Sequence, residues 1–208
     1  MPRIKQETVY KFDELDERAK ERARDWYRQG AFDYEWWDCT FDDAKQCLKL
    51  AGFDVDNIYF SGFSSQGDGA CFGGSWRASG AKPVKAMKAH APQDKDLHEI
   101  AAAARTVAKA CPDASMSVKH RGHYYHEMCT EFSVYLGEDD VERTAAEWDA
   151  KGKADAEREE AIIEFSRDAM RWIYRQLERE HDYMNADEQV DESIRCNEYE
   201  FDADGRRA

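Results

Sequence analysis

Three histidines and a cysteine fall at intervals of three in the run His120-Arg121-Gly122-His123-Tyr124-Tyr125-His126-Glu127-Met128-Cys129. Imidazole and thiolate are zinc ligands, and an imidazole that titrates near neutrality is a general acid or base. On a helix this spacing would gather all four side chains on one face. Gly122 and the strand-like residues on either side predict extended backbone instead, where His120 and His126 share one face and His123 takes the other. A metal set of His120, His126 and Cys129 is then geometrically awkward. The run reads first as a rim of tyrosine and histidine, whose amphipathic rings suit recognition.

A second stretch, Tyr59 to Trp76, reads YFSGFSSQGDGACFGGSW and holds five of the twelve glycines. Gly67-Asp68-Gly69 is a turn signal, because glycine supplies positive φ and aspartate tolerates it. Two strands joined by that turn are predicted, with Gly62, Gly73 and Gly74 marking a bulge or a close backbone approach. The glycines lead into a strand rather than a helix N-terminus, which disfavours a phosphate cradle. The Gln66–Cys71 turn is the candidate site. Gln66, Asp68, Cys71, His123, Tyr124, Tyr125 and His126 are the candidate binding residues. The catalytic alternative is a nucleophilic Cys71 assisted by His123 or His126.

A third pattern is Arg167, Arg171, Arg175 and Arg179, four apart. Like charges at that spacing repel by roughly 0.2–0.5 kcal/mol per pair on a helix. Neutralisation by Asp168, Glu178 and the acidic tail from Asp182 onward is predicted. A phosphate-bearing ligand or an acidic partner is the alternative.

The elements that must position these groups follow from the pattern. A strand is predicted over 3–12, then a helix capped by Asp13 or Asp16 that ends at Gly30. A second helix is predicted from Asp33 to about Ala51, with the adjacent Trp36 and Trp37 about 100° apart on it. After the glycine-rich hairpin come a helix opened by Pro83, a helix capped by Asp94 and stopped by Pro112, and strands over 115–120 and 130–136. The stretch 138–153 is polar surface, a loop or the start of a helix. Ile162, Phe165, Ala169, Trp172, Ile173 and Leu177 form the apolar stripe of a long helix over about 155–181. A short helix from Asp187 and a strand over 197–201 close the chain. This order predicts an α+β fold: an antiparallel sheet with helices packed on one face, a long C-terminal helix and an acidic tail. One domain over 1–208 is expected, with the acidic segment 182–208 packed on it.

The 208 residues are 42% hydrophobic, enough for a folded core. The formal charge is −14, and residues 138–208 hold 23 acids against 11 bases. That balance disfavours nucleic acid as a direct partner. It suits solubility or a basic protein surface. No run is long enough for a membrane span. The N-terminus lacks the apolar core of a signal peptide, which predicts the cytoplasm. The six cysteines form no CxxC pair and read as free thiols. No cofactor is predicted.

The run SGFSSQGDGACF (61–72) resembles one found in a group of uncharacterised phage and prophage proteins, some labelled "antitoxin of toxin–antitoxin stability system". FDELDERAKERARDWYR, YEWWD, APQD, GHYYHE and NEYEFDADGR are similar to segments of the same group, so the resemblance spans almost the whole chain. It implies a phage-encoded accessory protein of the bacterial cytoplasm that binds and neutralises a host protein, as an antitoxin or a counter-defence inhibitor. Imitation of nucleic-acid charge would fit such a role. The alternative is a small enzyme or ligand-binding protein with a pocket between the Gln66–Cys71 turn and the His120–His126 hairpin.

Overall fold

The computed structural model describes residues 8–30, 33–78, 82–137 and 144–208. The chain divides into two compact units, one of residues 39–177 and one of residues 1–38 with 178–208. Residues 3–7 of the predicted first strand and 138–143 of the predicted polar stretch lie outside the described residues.

The larger unit holds a four-stranded antiparallel sheet in the order β2 (Phe53–Phe60), β3 (Ala70–Arg77), β4 (Ser115–His120) and β5 (Thr130–Tyr135). Alternation gives the sheet its inner face: Phe53, Ile58, Phe72, Trp76, Met116 and Val118 are buried. That face meets the long helix α5 (Ala145–Asn185). Phe165 of α5 packs against Phe53 and Trp76, with ring centroids 5.2 and 5.3 Å apart. Each such side chain contributes roughly 1.5–3 kcal/mol through burial. The expected bulge lies between Val55 and Asn57, opposite Gly73 and Gly74. Gly74 sits at φ 153°, and a Cβ there would lie 2.2 Å from the Asp54 carbonyl oxygen.

Helices cover the sheet as expected. α2 (Asp38–Leu50), which begins one residue before the larger unit, places Phe41 edge-on to Phe60. It starts five residues later than Asp33, and Trp36 and Trp37 fall in the turn before it, stacked edge to face at 5.7 Å. Tertiary packing of the two indoles there replaces the predicted helical turn. α3 (Pro83–His90) opens at its proline. Asp94 caps α4 (Lys95–Ala110) by accepting from the Leu97 amide at 3.0 Å. The other Asp94 oxygen accepts from the Trp172 indole N–H at 2.8 Å, which ties the cap to α5.

The smaller unit is built on α1 (Glu17–Gly30), α6 (Asp187–Cys196) and a two-stranded sheet of β1 (Tyr10–Lys11) with β6 (Glu200–Phe201). Asp16, of the two candidate caps, accepts from the Ala19 amide at 2.8 Å. Phe12, Leu15, Ala19, Ala23, Val190, Ile194 and Phe201 form the core. Much of the acidic tail's charge is answered here. Arg24 clamps Asp191 through two hydrogen bonds of 2.7 and 2.9 Å. Arg28 pairs with Asp187, Lys11 with Glu200 and Arg22 with Asp204.

Candidate functional site

β3 runs away from the glycine-rich turn and β4 runs back toward it. The 61–69 connection and the 121–129 connection therefore sit at the same end of the sheet. They touch. A Cβ on Gly69 would lie 3.1 Å from the His126 ring and 3.2 Å from the Tyr125 carbonyl oxygen. One on Gly67 would lie 3.9 Å from the Tyr124 ring. The two segments singled out in the sequence thus form one rim.

The turn holds its own shape. The Asp68 carboxylate accepts from the Ser64 and Ser65 amides at 3.0 and 2.7 Å. Those N–H groups stabilise the charged form and hold the carboxyl below its ordinary range, with the Ser61 hydroxyl adding to the effect. Asp68 is thereby spent on the loop, and Gln66 is left exposed at its tip.

The second loop is braced by rings. Tyr59 stacks on Tyr125 at 5.6 Å, and the His120 ring lies 5.1 Å from both. The His120 Nε2–H donates to the Tyr124 carbonyl at 3.2 Å. A short 3-10 turn, Glu127–Cys129, follows. Arg171 of α5 donates to Glu127 at 3.1 Å, and the other Glu127 oxygen lies 3.0 Å from Nδ1 of His126. That nitrogen is also 3.2 Å from the Met128 amide. Protonated, it donates to Glu127; unprotonated, it accepts from Met128. The outer surface of the rim carries Tyr124 and Met128, 60% and 61% exposed, beside His123.

Cys71 is not at that surface. Its side chain is fully buried, and loss of hydration, with Cys129 and Glu127 adding to it, pushes the thiol up to about 12. A thiol so placed is a core residue rather than a nucleophile. Among the described residues, the ligand atoms of His120, His126 and Cys129 do not come together as a set. Among the described residues, a different group brings three ligand atoms together: Asp43, Cys47 and His90.

Three of the four arginines of the ladder, Arg167, Arg171 and Arg175, are paired by partners other than the tail. Arg171 meets Glu164, Asp168 and Glu127. Arg167 meets Glu160 and Glu164, and Arg175 meets Asp96. These carboxylates lie on α5, α4 and the 3-10 turn. The tail's charges are turned instead to α1. Sequence reasoning missed Met128, Glu127 and Tyr59 as parts of the rim. The HE pair 126–127 was a usable signal, whereas the link from Glu127 to Arg171 spans 44 residues and has no local trace.

A sheet of this order under a single long helix defines an α+β protein. The family model described as "Domain of unknown function (DUF8835)" matches residues 36–187. The chain belongs to that family. No curated protein and no solved structure matches it. Among the described residues no helix is long and apolar enough to cross a membrane.

Proposed function

We propose that the chain is a non-catalytic binding protein whose rim of Gln66, His123, Tyr124 and Met128 docks on another protein. The observation that carries this reading is the exposure of Tyr124 and Met128 on loops held from behind. Stacked rings and the Arg171–Glu127 pair pre-order those loops, which lowers the entropy lost on docking. Exposed aromatic and methionine side chains are enriched at protein interfaces. The burial of Cys71 weakens the nucleophile alternative.

The resemblance over Ser61–Phe72 supports a phage or prophage accessory protein that neutralises a host protein in the bacterial cytoplasm, antitoxin-like or counter-defence. The smaller unit carries 21 acids against 12 bases, which supports a partner with a basic surface and a measure of nucleic-acid charge imitation. Deleting the tail is a poor test, because Val190, Ile194 and Phe201 belong to the core. Glu188 and Glu198 make no ion pair among the described residues and are the better targets. The test is affinity capture from host cells with the intact chain, followed by the same capture with Tyr124→Ala and with Glu188→Gln/Glu198→Gln. One protein lost with Tyr124→Ala is the expected result. A set of captured proteins unchanged by either variant counts against the reading.

A second reading, a small enzyme or ligand-binding protein using His126, draws on the 3.0 Å approach of His126 to Glu127. It predicts a small molecule whose binding is lost in His126→Gln.

A further inference from the structure

Away from the rim, α2 and α3 bring together three side chains of different donor type. Asp43 and Cys47 are one turn apart on α2 and so share a face. His90 is the last residue of α3. A carboxylate oxygen, a sulfur and a ring nitrogen from these three all lie within 4.8 Å of one another. Asp43 Oδ1 is 3.0 Å from His90 Nε2, and Asp43 Oδ2 is 3.9 Å from Cys47 Sγ.

We propose that Asp43, Cys47 and His90 bind a borderline-soft divalent metal of the zinc class, with water in the fourth position. Sulfur, imidazole and carboxylate are the donors zinc takes, at about 2.3, 2.0–2.1 and 2.0–2.2 Å. Tetrahedral bonds of those lengths place the donors roughly 3.2–3.8 Å apart. The 3.0 and 3.9 Å separations, one from each Asp43 oxygen, lie close to that edge. With all three ligand atoms within 4.8 Å of one another, side-chain rotation onto one shared oxygen would complete the set. Two of the donors are fixed on one helix. The third sits at a helix end whose cap is made, the Ala91 amide donating to the Met87 carbonyl at 2.8 Å.

The charge around the sulfur also suits a cation. Burial pushes the Cys47 thiol up to about 12, with the carboxylates of Asp43 and Asp94 adding to it, and those same carboxylates favour a cation placed at the sulfur. Asp94 is held by the Leu97 amide, the Trp172 indole and Gln176, so it supplies charge rather than a ligand atom. Asp43 and His90 are exposed while Cys47 is buried, which leaves the solvent side open for the ion to enter and for water to complete the shell. On binding, the thiol loses its proton to solvent and its sulfur bonds the metal. Neutral His90 binds through Nε2 and keeps its proton on Nδ1.

The experiment uses the full chain stripped with a chelator, then titrated with Zn2+ by calorimetry and with Co2+ by absorption. One equivalent is expected, with a near-ultraviolet sulfur-to-cobalt band and the visible bands of a tetrahedral ion. His90→Ala and Asp43→Asn are surface changes and should each weaken Zn2+ binding by at least about tenfold. Cys47→Ser should remove the charge-transfer band. Because that variant alters the core, the two surface variants decide the matter if it fails to fold. Absence of the sulfur band in the wild type, or a Zn2+ affinity unchanged in His90→Ala, overturns the proposal.

Discussion

At the scale of single residues, burial separates the groups open at the surface from those that hold the fold. Cys39 and Cys196 are exposed, whereas Cys47 and Cys71 are buried and both thiols are pushed up to about 12 by desolvation. Alkylation of the native protein at pH 8 should therefore label Cys39 and Cys196 first, and Cys71 only after unfolding. Peptide mass spectrometry reads the order directly, and rapid labelling of native Cys71 would restore it as a nucleophile. Asp68 is half-buried and functions inward, as the acceptor that closes the 64–68 turn. Because its carboxyl is held below the ordinary range, the turn should keep its order as pH falls through the usual carboxylate range. Asp68→Ala should raise amide exchange at Ser64 and Ser65 while leaving the sheet unchanged.

At the scale of elements, the bulge in β2 and the brace on α5 do the positioning. Gly74 faces the Asp54 carbonyl too closely for any Cβ, at a φ that side chains rarely adopt. Gly74→Ala should destabilise by about 2–4 kcal/mol in urea unfolding. Glu164 pairs first with Arg171, which itself holds Glu127 beneath the rim, and its carboxyl lies below the ordinary value. A depressed carboxyl contributes stability above its unfolded value that is lost as pH falls through its folded value. Glu164→Gln should thus cost about 0.5–1 kcal/mol at pH 7, and that difference should shrink in acid below about pH 4.5. The elements readable from sequence were those marked by local chemistry. Pro83 opens α3, Asp94 caps α4, Pro112 follows its end, and Gly67-Asp68-Gly69 turns the hairpin. The start of α5 at Ala145 also carries a local signal, the capping box Thr144-Ala-Ala-Glu147, in which the Thr144 amide donates to Glu147 at 2.8 Å and the Glu147 amide to the Thr144 hydroxyl at 3.4 Å. The charge-rich stretch around it masks that signal. Trp36 and Trp37 fit a helical pattern and are taken out of it by packing on each other. The rim was legible as two segments through their unusual composition. Their braces were not, because Arg171 and Tyr59 join them only through the fold.

At the scale of the molecule, the acidic chain is less bare than its formal charge implies. The arginines of α1 answer several acids of the tail, and Arg24 is the most enclosed of them, with only 13% of its side chain exposed. Removing one partner of its half-buried, two-bonded pair with Asp191 should cost about 1.5–3 kcal/mol. Arg24→Ala should show that loss in urea unfolding followed by tryptophan fluorescence. Asp191→Asn should show a similar loss, and the double variant should fall well short of the sum. The charge left over, in residues such as Glu188 and Glu198, is then available to steer a basic partner, with an effect on association rate that fades with salt. On the proposed reading, affinity belongs to the rim. The direct measurement is calorimetric titration of the captured partner with the wild-type chain and with Tyr124→Ala/Met128→Ser, in a buffer that also reports any chemical change in the partner. The account predicts an unmodified partner and binding weaker by at least about thirtyfold, or about 2 kcal/mol, in the double variant. Equal affinity in a folded double variant, or turnover of the partner by the wild type, would contradict it.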